Sequence, residues 1–187
     1  MAQILVTGGA GFIGSHTSVG LLKAGHCLLV LDNFSNSSPE ALKRVAELSN
    51  VSLDSDQLRL IQGDIRDATL LDRIFSEAQA SQKPIEAVIH FAGLKAVGES
   101  VADPLRYWGV NVGGSQALLA AMNTHNCRKF VFSSTSTVYG EPNSFPLTET
   151  TPTSPIHPYA QTKLAVEQML RALTARGDWR VSALRYF

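Results

Sequence analysis

A doubly wound α/β fold, with helices on both faces of a parallel sheet of six or more strands, is predicted by three features of the sequence. Short apolar runs recur along the chain, segments of helical length separate them, and a glycine-rich turn follows the first run. Continuously apolar runs of this length are typical of strands buried on both faces, as in parallel sheets. The 187 residues are expected to form one domain, residues 1–187.

The strands follow from the apolar runs in chain order. They are predicted at residues 4–6, 28–31, 58–61, 87–91, 130–132 and 181–184. Between the fifth and sixth strands, residues 140–158 contain five prolines, which regular structure would not tolerate. A long loop is therefore predicted there, and long loops inside compact domains are usually functional.

Two helices show clear apolar stripes. Pro158 is well placed as the first residue of a helix, on which one face carries Tyr159, Lys163, Val166, Leu170 and Leu173. A second helix is predicted to begin near Pro104, with a stripe formed by Trp108, Val112, Ser115, Leu119 and Met122. Gly113 and Gly114 interrupt this helix, and close approach of another backbone would explain them.

Composition excludes several classes of partner. The formal net charge is zero, so neither nucleic acid nor an anionic membrane is an expected partner, and no segment is apolar for long enough to span a membrane. Cys27 and Cys127 are isolated and the chain begins without a leader, so we expect reduced thiols and a cytoplasmic protein. No metal site is expected, because metal-ligand spacing is absent among His16, His26, His90, His125 and His157.

The glycine turn predicts a dinucleotide site. Gly8, Gly11 and Gly14 form a GxxGxxG motif between a strand and a helix, where a pyrophosphate can approach backbone amides at the positive helix end. Asp32 ends the second strand at the spacing expected for a ribose contact. Asn33 follows it without an adjacent arginine, which favours NAD over NADP. A glycine turn that only packs is the alternative, but it would leave Asp32 unexplained.

Further candidates follow the next two strands. Asp64 and Ile65 come after the third strand, and residues 91–95 come after the fourth, so both lie at carboxyl ends, where open α/β sheets bind ligands. Asp64 is expected either to contact the adenine or to cap the following helix.

The spacing of Tyr159 and Lys163 suits proton transfer by the tyrosine. Four residues apart on a helix, they share one face, so an ammonium can ease the ionisation of a phenol. Lowering a tyrosine pKa to neutrality takes roughly 4 kcal/mol. The pattern is short, and a surface helix with an unrelated tyrosine and lysine is the alternative.

Taken together, these motifs resemble the extended short-chain dehydrogenase/reductase family. The resemblance is carried by the turn at residues 7–14, Asp32, Asn111, the run 133–140 and the Tyr159/Lys163 pair. Segments 31–37 and 90–100 are most similar to its sugar-nucleotide 4-epimerases, and the similarity covers residues 4–187. The resemblance implies a Rossmann-type domain with tightly held NAD.

The resemblance also implies a catalytic triad of Thr135, Tyr159 and Lys163. Tyr159 would take the proton of the sugar 4-hydroxyl while hydride passes to NAD, interconverting UDP-glucose and UDP-galactose, and Lys163 would hold the nicotinamide ribose. Thr135 stands where epimerases usually have serine, and Lys95, Thr135 and Tyr159 would contact the UDP-sugar. The implied cofactor contacts are Gly8, Gly11, Phe12, Ile13, Gly14, Asp32, Asn33, Asn36, Ser37, Asp64, Ile65, Phe91, Ala92, Gly93, Lys95, Asn111, Tyr159, Lys163 and Phe187.

Other outcomes remain open within the resemblance. The related 4,6-dehydratases place Asp-Glu after the triad threonine, where this chain has Ser136 and Thr137, which argues against elimination. Family members continue beyond Phe187 with a substrate region, so we expect a fragment of a full epimerase rather than a short product. A cofactor module without turnover and an enzyme for another UDP-hexose derivative are the alternatives. The resemblance implies a homodimer through helices near 104–122 and 158–176, although their stripes could instead cover the sheet.

Overall fold

The fold is built on one six-stranded sheet in which every neighbouring pair of strands is parallel. The computed structural model describes residues 1–142 and 144–187. The strands run in the order β3-β2-β1-β4-β5-β6, which is the doubly wound arrangement, so the predicted fold class is confirmed. They are β1 (Gln3–Thr7), β2 (Cys27–Asp32), β3 (Leu58–Gln62), β4 (Ile85–His90), β5 (Lys129–Thr135) and β6 (Arg180–Tyr186).

Seven α-helices are described between these strands. They are α1 (Phe12–Lys23), α2 (Pro39–Ser49), α3 (Ala68–Ala80), α4 (Val97–Ala102), α5 (Pro104–Tyr107), α6 (Gly114–Thr124) and α7 (Pro158–Thr174). Because side chains of a strand alternate between faces, β1 contributes to two separate cores. Leu5 packs in the core that includes α3, α6 and α7, whereas Ile4 and Val6 pack in the core beneath α1 and α2.

The helix predicted from Pro104 is confirmed with an irregular middle. A π-helical segment, Trp108–Gly113, joins α5 to α6. Of the predicted stripe, Ser115, Leu119 and Met122 are buried within this chain, so these three cover the sheet.

The explanation predicted for the two glycines was wrong. A Cβ at Gly114 would lie 2.5 Å from Cδ1 of Ile65, a side chain, while the nearest atom at Gly113 is the Trp108 carbonyl oxygen at 4.0 Å. The three atoms nearest to a Cβ at Gly114 all belong to side chains. Gly114 instead makes room for Ile65, at the carboxyl edge of the sheet.

The start of α7 agrees with the sequence prediction. Pro158 is its first residue, and the His157 side chain caps it by accepting a hydrogen bond from the Ala160 amide. The preceding loop is irregular apart from a 3₁₀ turn, Ser136–Tyr139, and Asn143 within it lies outside the described residues. No helix in the described part of the chain is long and apolar enough to cross a membrane.

Candidate active site

A cleft of about 290 Å³ opens along the carboxyl edge of the sheet, where the strand order reverses direction between the neighbouring strands β1 and β4. Such a switch point is where open α/β sheets bind ligands. Most of the residues predicted from the sequence line it: Gly8, Gly11, Phe12, Ile13, Gly14, Asp32, Asn33, Asn36, Asp64, Ile65, Phe91, Ala92, Gly93, Lys95, Thr135, Tyr159 and Lys163.

The glycine turn at one end of the cleft has no room for side chains. Gly8 has φ +69°, and a Cβ there would lie 2.5 Å from the Ala92 amide nitrogen. A Cβ at Gly14 would overlap the Gly8 carbonyl oxygen. Gly11 is the N-cap of α1 and provides no side-chain cap. The first-turn amides of α1 are therefore open to an anionic group in the cleft.

Asp32 joins the glycine turn to the loop after β2. Its Oδ2 accepts a hydrogen bond from the Ala10 amide at 2.9 Å, while Oδ1 accepts from the Phe34 amide at 2.9 Å and from Ser37 Oγ at 2.7 Å. An ionised carboxylate has about four acceptor sites, so these three bonds leave acceptor capacity. Ser37 therefore supports Asp32 rather than lining the cleft.

Asp64 is held by its neighbours on the cleft wall. Arg66 donates to both carboxylate oxygens, from Nε at 2.9 Å and Nη2 at 2.8 Å, and Asn33 donates to Oδ2 at 3.1 Å. The hydrogen bonds from Arg66 hold the pKa of Asp64 well below its usual range. The cap of α3 is Asp67, so the helix-cap alternative for Asp64 was wrong.

Asn111 supports the loop at residues 91–95 from behind. Its Oδ1 accepts from the Leu94 amide at 2.8 Å, and its Nδ2 donates to the Leu94 carbonyl at 3.0 Å and to Thr162 Oγ1 at 3.1 Å. A Cβ at Gly93, where φ is +156°, would lie 3.0 Å from Asn111 Oδ1. Because the carboxamide is engaged by the protein, direct cofactor contact by Asn111 stays a prediction.

Thr135, Tyr159 and Lys163 meet on the opposite wall, where β5 ends beside the first turns of α7. Lys163 Nζ donates to the Ser133 carbonyl at 2.8 Å and lies 6.0 Å from the centroid of the Tyr159 ring. Thr135 Oγ1 accepts from the Thr137 amide at 3.2 Å. The predicted inward face of α7 is thus confirmed, with Val166 and Leu170 buried farther along it.

Burial controls the protonation of this wall. It lowers the pKa of Lys163 to about 8, because the ammonium is removed from water. It raises the pKa of Tyr159 above the ordinary phenol value, which the nearby Thr135 hydroxyl partly offsets. Burial, reinforced by the charge of Lys163, lowers the pKa of His90 to about 3. The Lys163 ammonium is directed at a main-chain carbonyl, so without a further positive charge Tyr159 stays protonated at neutral pH.

His90 is a core residue behind the site. Its ring nitrogens contact Thr7 Oγ1 at 2.5 Å and Ser115 Oγ at 3.0 Å, which connects β1 and β4 to α6. Among residues 1–142 and 144–187, no group of three or more His, Cys, Asp or Glu side chains is arranged to hold a metal ion.

Some positions differ from the prediction. Phe187 is 89% exposed at the end of the chain and does not line the cleft, because it lies beyond the last paired residue of β6. The sequence interpretation did not single out Ser133, Ser134 or Tyr186, which do line it. It also overlooked Glu167, although a buried glutamate one turn after Lys163 interrupts the apolar face of α7.

The doubly wound sheet, the glycine turn with Asp32 and the Tyr/Lys pair define the short-chain dehydrogenase/reductase class of Rossmann-type proteins. Within it, the chain belongs to the NAD dependent epimerase/dehydratase family, whose model matches residues 4–187.

Similar proteins agree with this membership. The chain is 52% identical over 185 residues to UDP-glucose 4-epimerase of Bacillus subtilis, covering 98% of this chain and 52% of that protein. It is 50% identical over 188 residues to UDP-glucose 4-epimerase 1 of Oryza sativa, covering 51% of that protein. The crystal structure of UDP-glucose 4-epimerase from Bifidobacterium longum with NAD+ and UDP superposes with a TM-score of 0.92 at 45% identity, covering 100% of this chain and 53% of that one. The chain therefore spans about half the length of the relatives it matches.

Proposed function

We propose that the chain is the NAD-binding and catalytic half of a UDP-glucose/UDP-galactose 4-epimerase. The observation that carries the proposal is the cleft, one wall of which has the glycine turn and Asp32 and the other Thr135, Tyr159 and Lys163. Two relatives that are 52% and 50% identical to this chain are named as UDP-glucose 4-epimerases. A substrate region beyond residues 1–187, as expected from the sequence, is part of the same proposal.

The residues of the cleft fit NAD. The turn around Gly8 and Gly14 leaves space that a Cβ would fill, and the uncapped first turn of α1 suits a pyrophosphate. Asp32 retains acceptor capacity for ribose hydroxyls. When bound, NAD would supply a hydride acceptor and donor for the sugar C4 and, in its oxidised form, a positive charge.

Each member of the triad then has a proposed role. Tyr159 removes the proton of the sugar 4-hydroxyl and returns it after the 4-keto sugar has rotated within the site. Lys163 binds the nicotinamide ribose and stabilises the tyrosinate. The Thr135 hydroxyl bonds the reacting oxygen, while Lys95 contacts the UDP-sugar. Because oxidation and reduction balance, the reaction needs no other oxidant.

The first experiment is calorimetric titration of the purified chain with NAD and with NADP. We expect NAD to bind more tightly, and Asp32→Asn to weaken NAD binding by about tenfold or more, because bonds to a charged acceptor contribute roughly 1.5–3 kcal/mol. Asp72→Asn, an exposed carboxylate on α3, is the matched control. A chain that binds no NAD would contradict the whole proposal.

The second experiment follows UDP-galactose by proton NMR with the NAD-loaded chain. Formation of UDP-glucose that is lost in Tyr159→Phe supports the epimerase. NAD binding without sugar binding or conversion supports the alternative, a cofactor module without turnover.

Sugar range is a separate alternative. Related structures include a UDP-Glc/GlcNAc 4-epimerase from Campylobacter jejuni at 34% identity and a TM-score of 0.90. N-acetylated UDP-hexoses and UDP-hexuronates assayed beside UDP-galactose distinguish these substrates.

The proposal includes a homodimer formed through the helices near 104–122 and 158–176, and a cytoplasmic role in galactose metabolism. Support for the dimer comes from four exposed apolar side chains of α4, α5 and the residue that follows, here termed the α4–α5 apolar patch: Val97, Val101, Leu105 and Trp108. Patches of this kind on a surface typically mark contacts with other proteins. The cytoplasmic location rests on the two isolated cysteines and stays a prediction.

A further inference from the structure

Glu167 is a buried carboxylate outside the proposed triad. It lies one helical turn after Lys163 in α7 and is 4% exposed. Arg185 of β6 binds it with two hydrogen bonds, Nε to Oε1 at 2.9 Å and Nη2 to Oε2 at 2.6 Å. Ser134 of β5 donates its hydroxyl to the same Oε1 at 2.6 Å. One side chain thus connects α7 to the last two strands.

The charged state of Glu167 is fixed by these partners. Burial raises the pKa of the carboxyl, but the hydrogen bonds from Arg185 and Ser134 together with the charges of Arg185 and Arg171 lower it overall. A buried ion pair is weak evidence for stability, since apolar replacements of both partners are often as stable. The pair therefore needs a reason other than holding the fold together.

The position of Ser134 suggests that reason. It lies between Ser133, whose carbonyl accepts the hydrogen bond from Lys163, and Thr135. Two successive residues of β5 are therefore tied to two successive turns of one face of α7. Movement of the helix along the strand would break both ties and change the separation of Thr135 from Tyr159.

We propose that Glu167 is a positioning residue that, through Ser134 and Arg185, fixes the end of β5 against α7 and so sets the Thr135 hydroxyl beside the Tyr159 phenol. The consequence of this positioning for catalysis rests on the proposed function, whereas the positioning of the Thr135 hydroxyl itself does not. Arg185 extends the network by donating to the Tyr139 hydroxyl at 2.8 Å, which donates to the Thr148 carbonyl at 3.0 Å. The loop before α7 is thereby joined to the same carboxylate.

The test uses Ser134→Ala, which removes one tie and leaves the ion pair intact. In the chain labelled with ¹³C at the tyrosine ring, NMR titration gives the pKa of Tyr159, whose signal is assigned with Tyr159→Phe. We expect Ser134→Ala to raise this pKa by about 0.5 unit or more, because Thr135 no longer favours the phenolate. The ¹³Cζ shift at pH 7, compared with that of Thr135→Val, shows separately whether the neutral phenol has lost the Thr135 hydroxyl beside it.

A double-mutant cycle shows whether the effect passes through Thr135. Thr135→Val alone is expected to raise the Tyr159 pKa, and adding Ser134→Ala should then give no further rise. An unchanged pKa in Ser134→Ala, or an equal rise in both backgrounds, would overturn the proposal.

Three further variants distinguish positioning by Glu167 from the effect of its negative charge and from its effect on the stability of the fold. Glu167→Gln removes a negative charge, so a purely electrostatic effect would lower the Tyr159 pKa, whereas lost positioning raises it. The double variant Glu167→Met/Arg185→Met should recover the stability lost in Glu167→Met but keep the raised pKa. Recovery of both would show a structural role only and contradict positioning. Arg171→Gln is the matched control, since Arg171 is 66% exposed and 3.7 Å from Oε2.

These titrations need neither NAD nor sugar, so their outcome is independent of whether the chain is an epimerase. If NAD-loaded wild type converts UDP-galactose, Ser134→Ala is also expected to lower kcat with little change in KM. A wild-type chain without conversion would leave the Tyr159 measurement decisive for Glu167, while the NAD titration still tests the proposed function.

Discussion

At the scale of single residues, Lys163 stands out because its ammonium is buried against a main-chain carbonyl and the ring of Phe132. Burial lowers its pKa from 10.5 to about 8. Between these values the unfolded chain holds the proton and the native chain does not. The stability of the native state therefore rises with pH across this window, and the full cost of burying the charge is present below pH 8.

Replacing Lys163 with methionine should stabilise the fold while it removes function. At pH 7 we expect the free energy of unfolding in urea to increase by about 2 kcal/mol, which is the relieved charge burial less one hydrogen bond. The gain should shrink towards pH 10.5, and NAD binding should weaken. Lys43→Met, at an exposed position on α2, serves as the control. A gain that is constant from pH 7 to 10.5 would argue against charge burial as its cause.

Sequence motifs predicted the cleft residues that can be recognised by residue type and by their spacing along the chain. Gly8, Asp32 and the Tyr159/Lys163 pair are of this kind, and all line the cleft. The partners of Glu167 were not predictable, because Ser134 and Arg185 are far from it in sequence and only the order of β5 and β6 brings them together.

At the scale of elements, the loop before α7 is attached by a close contact at Gly140. This residue has φ +66°, and a Cβ there would overlap the Ser154 carbonyl oxygen. Ser154 also donates its amide to the Val138 carbonyl at 3.0 Å. The loop thus returns against its own beginning and leads into the helix that carries Tyr159.

Gly140→Ala is therefore expected to detach this loop. We expect a loss of about 2–3 kcal/mol of stability, from backbone strain plus the overlap, and faster proteolysis within residues 141–157. Gly177→Ala separates the two causes, because Gly177 also has a left-handed backbone, with φ +85°, but no neighbour within 4 Å among the described atoms. Its expected loss is about 1 kcal/mol. Equal losses in the two variants would show that the Ser154 contact is unimportant.

The local sequence pattern predicted which strands exist but not where they begin and end. Each of the six predicted strands exists, and most gain a residue or more at their ends, as at Gln3 and Thr135. The π-helical turn at Trp108–Gly113 was not predicted, because an apolar stripe in the sequence does not distinguish one π-helical turn from the α-helix around it.

At the scale of the whole molecule, the α4–α5 apolar patch is proposed to contact a second copy of the chain. Leu105 is its most exposed member at 82%. Ser115 and Met122, on the predicted stripe, are buried within the chain, so they are not available to a partner.

Leu105→Glu should shift a dimer to monomer without destabilising the chain. A charge at the centre of an apolar contact is costly unless it is paired, whereas at an exposed position it changes stability little. Sedimentation velocity at several protein concentrations measures the shift. Leu48→Glu on α2, a residue 64% exposed, is the matched control. A wild-type chain that sediments only as a monomer would contradict the dimer proposal for this chain.

The acceptor for Lys163 is the carbonyl of Ser133, part of the main chain. Every amino acid supplies that oxygen, so alanine scanning along β5 would leave it in place, and sequence variation at position 133 would not disclose its role. Replacing the peptide bond between residues 133 and 134 with an ester, by chemical ligation, weakens the carbonyl as an acceptor. That change would reveal how strongly the backbone itself holds the lysine.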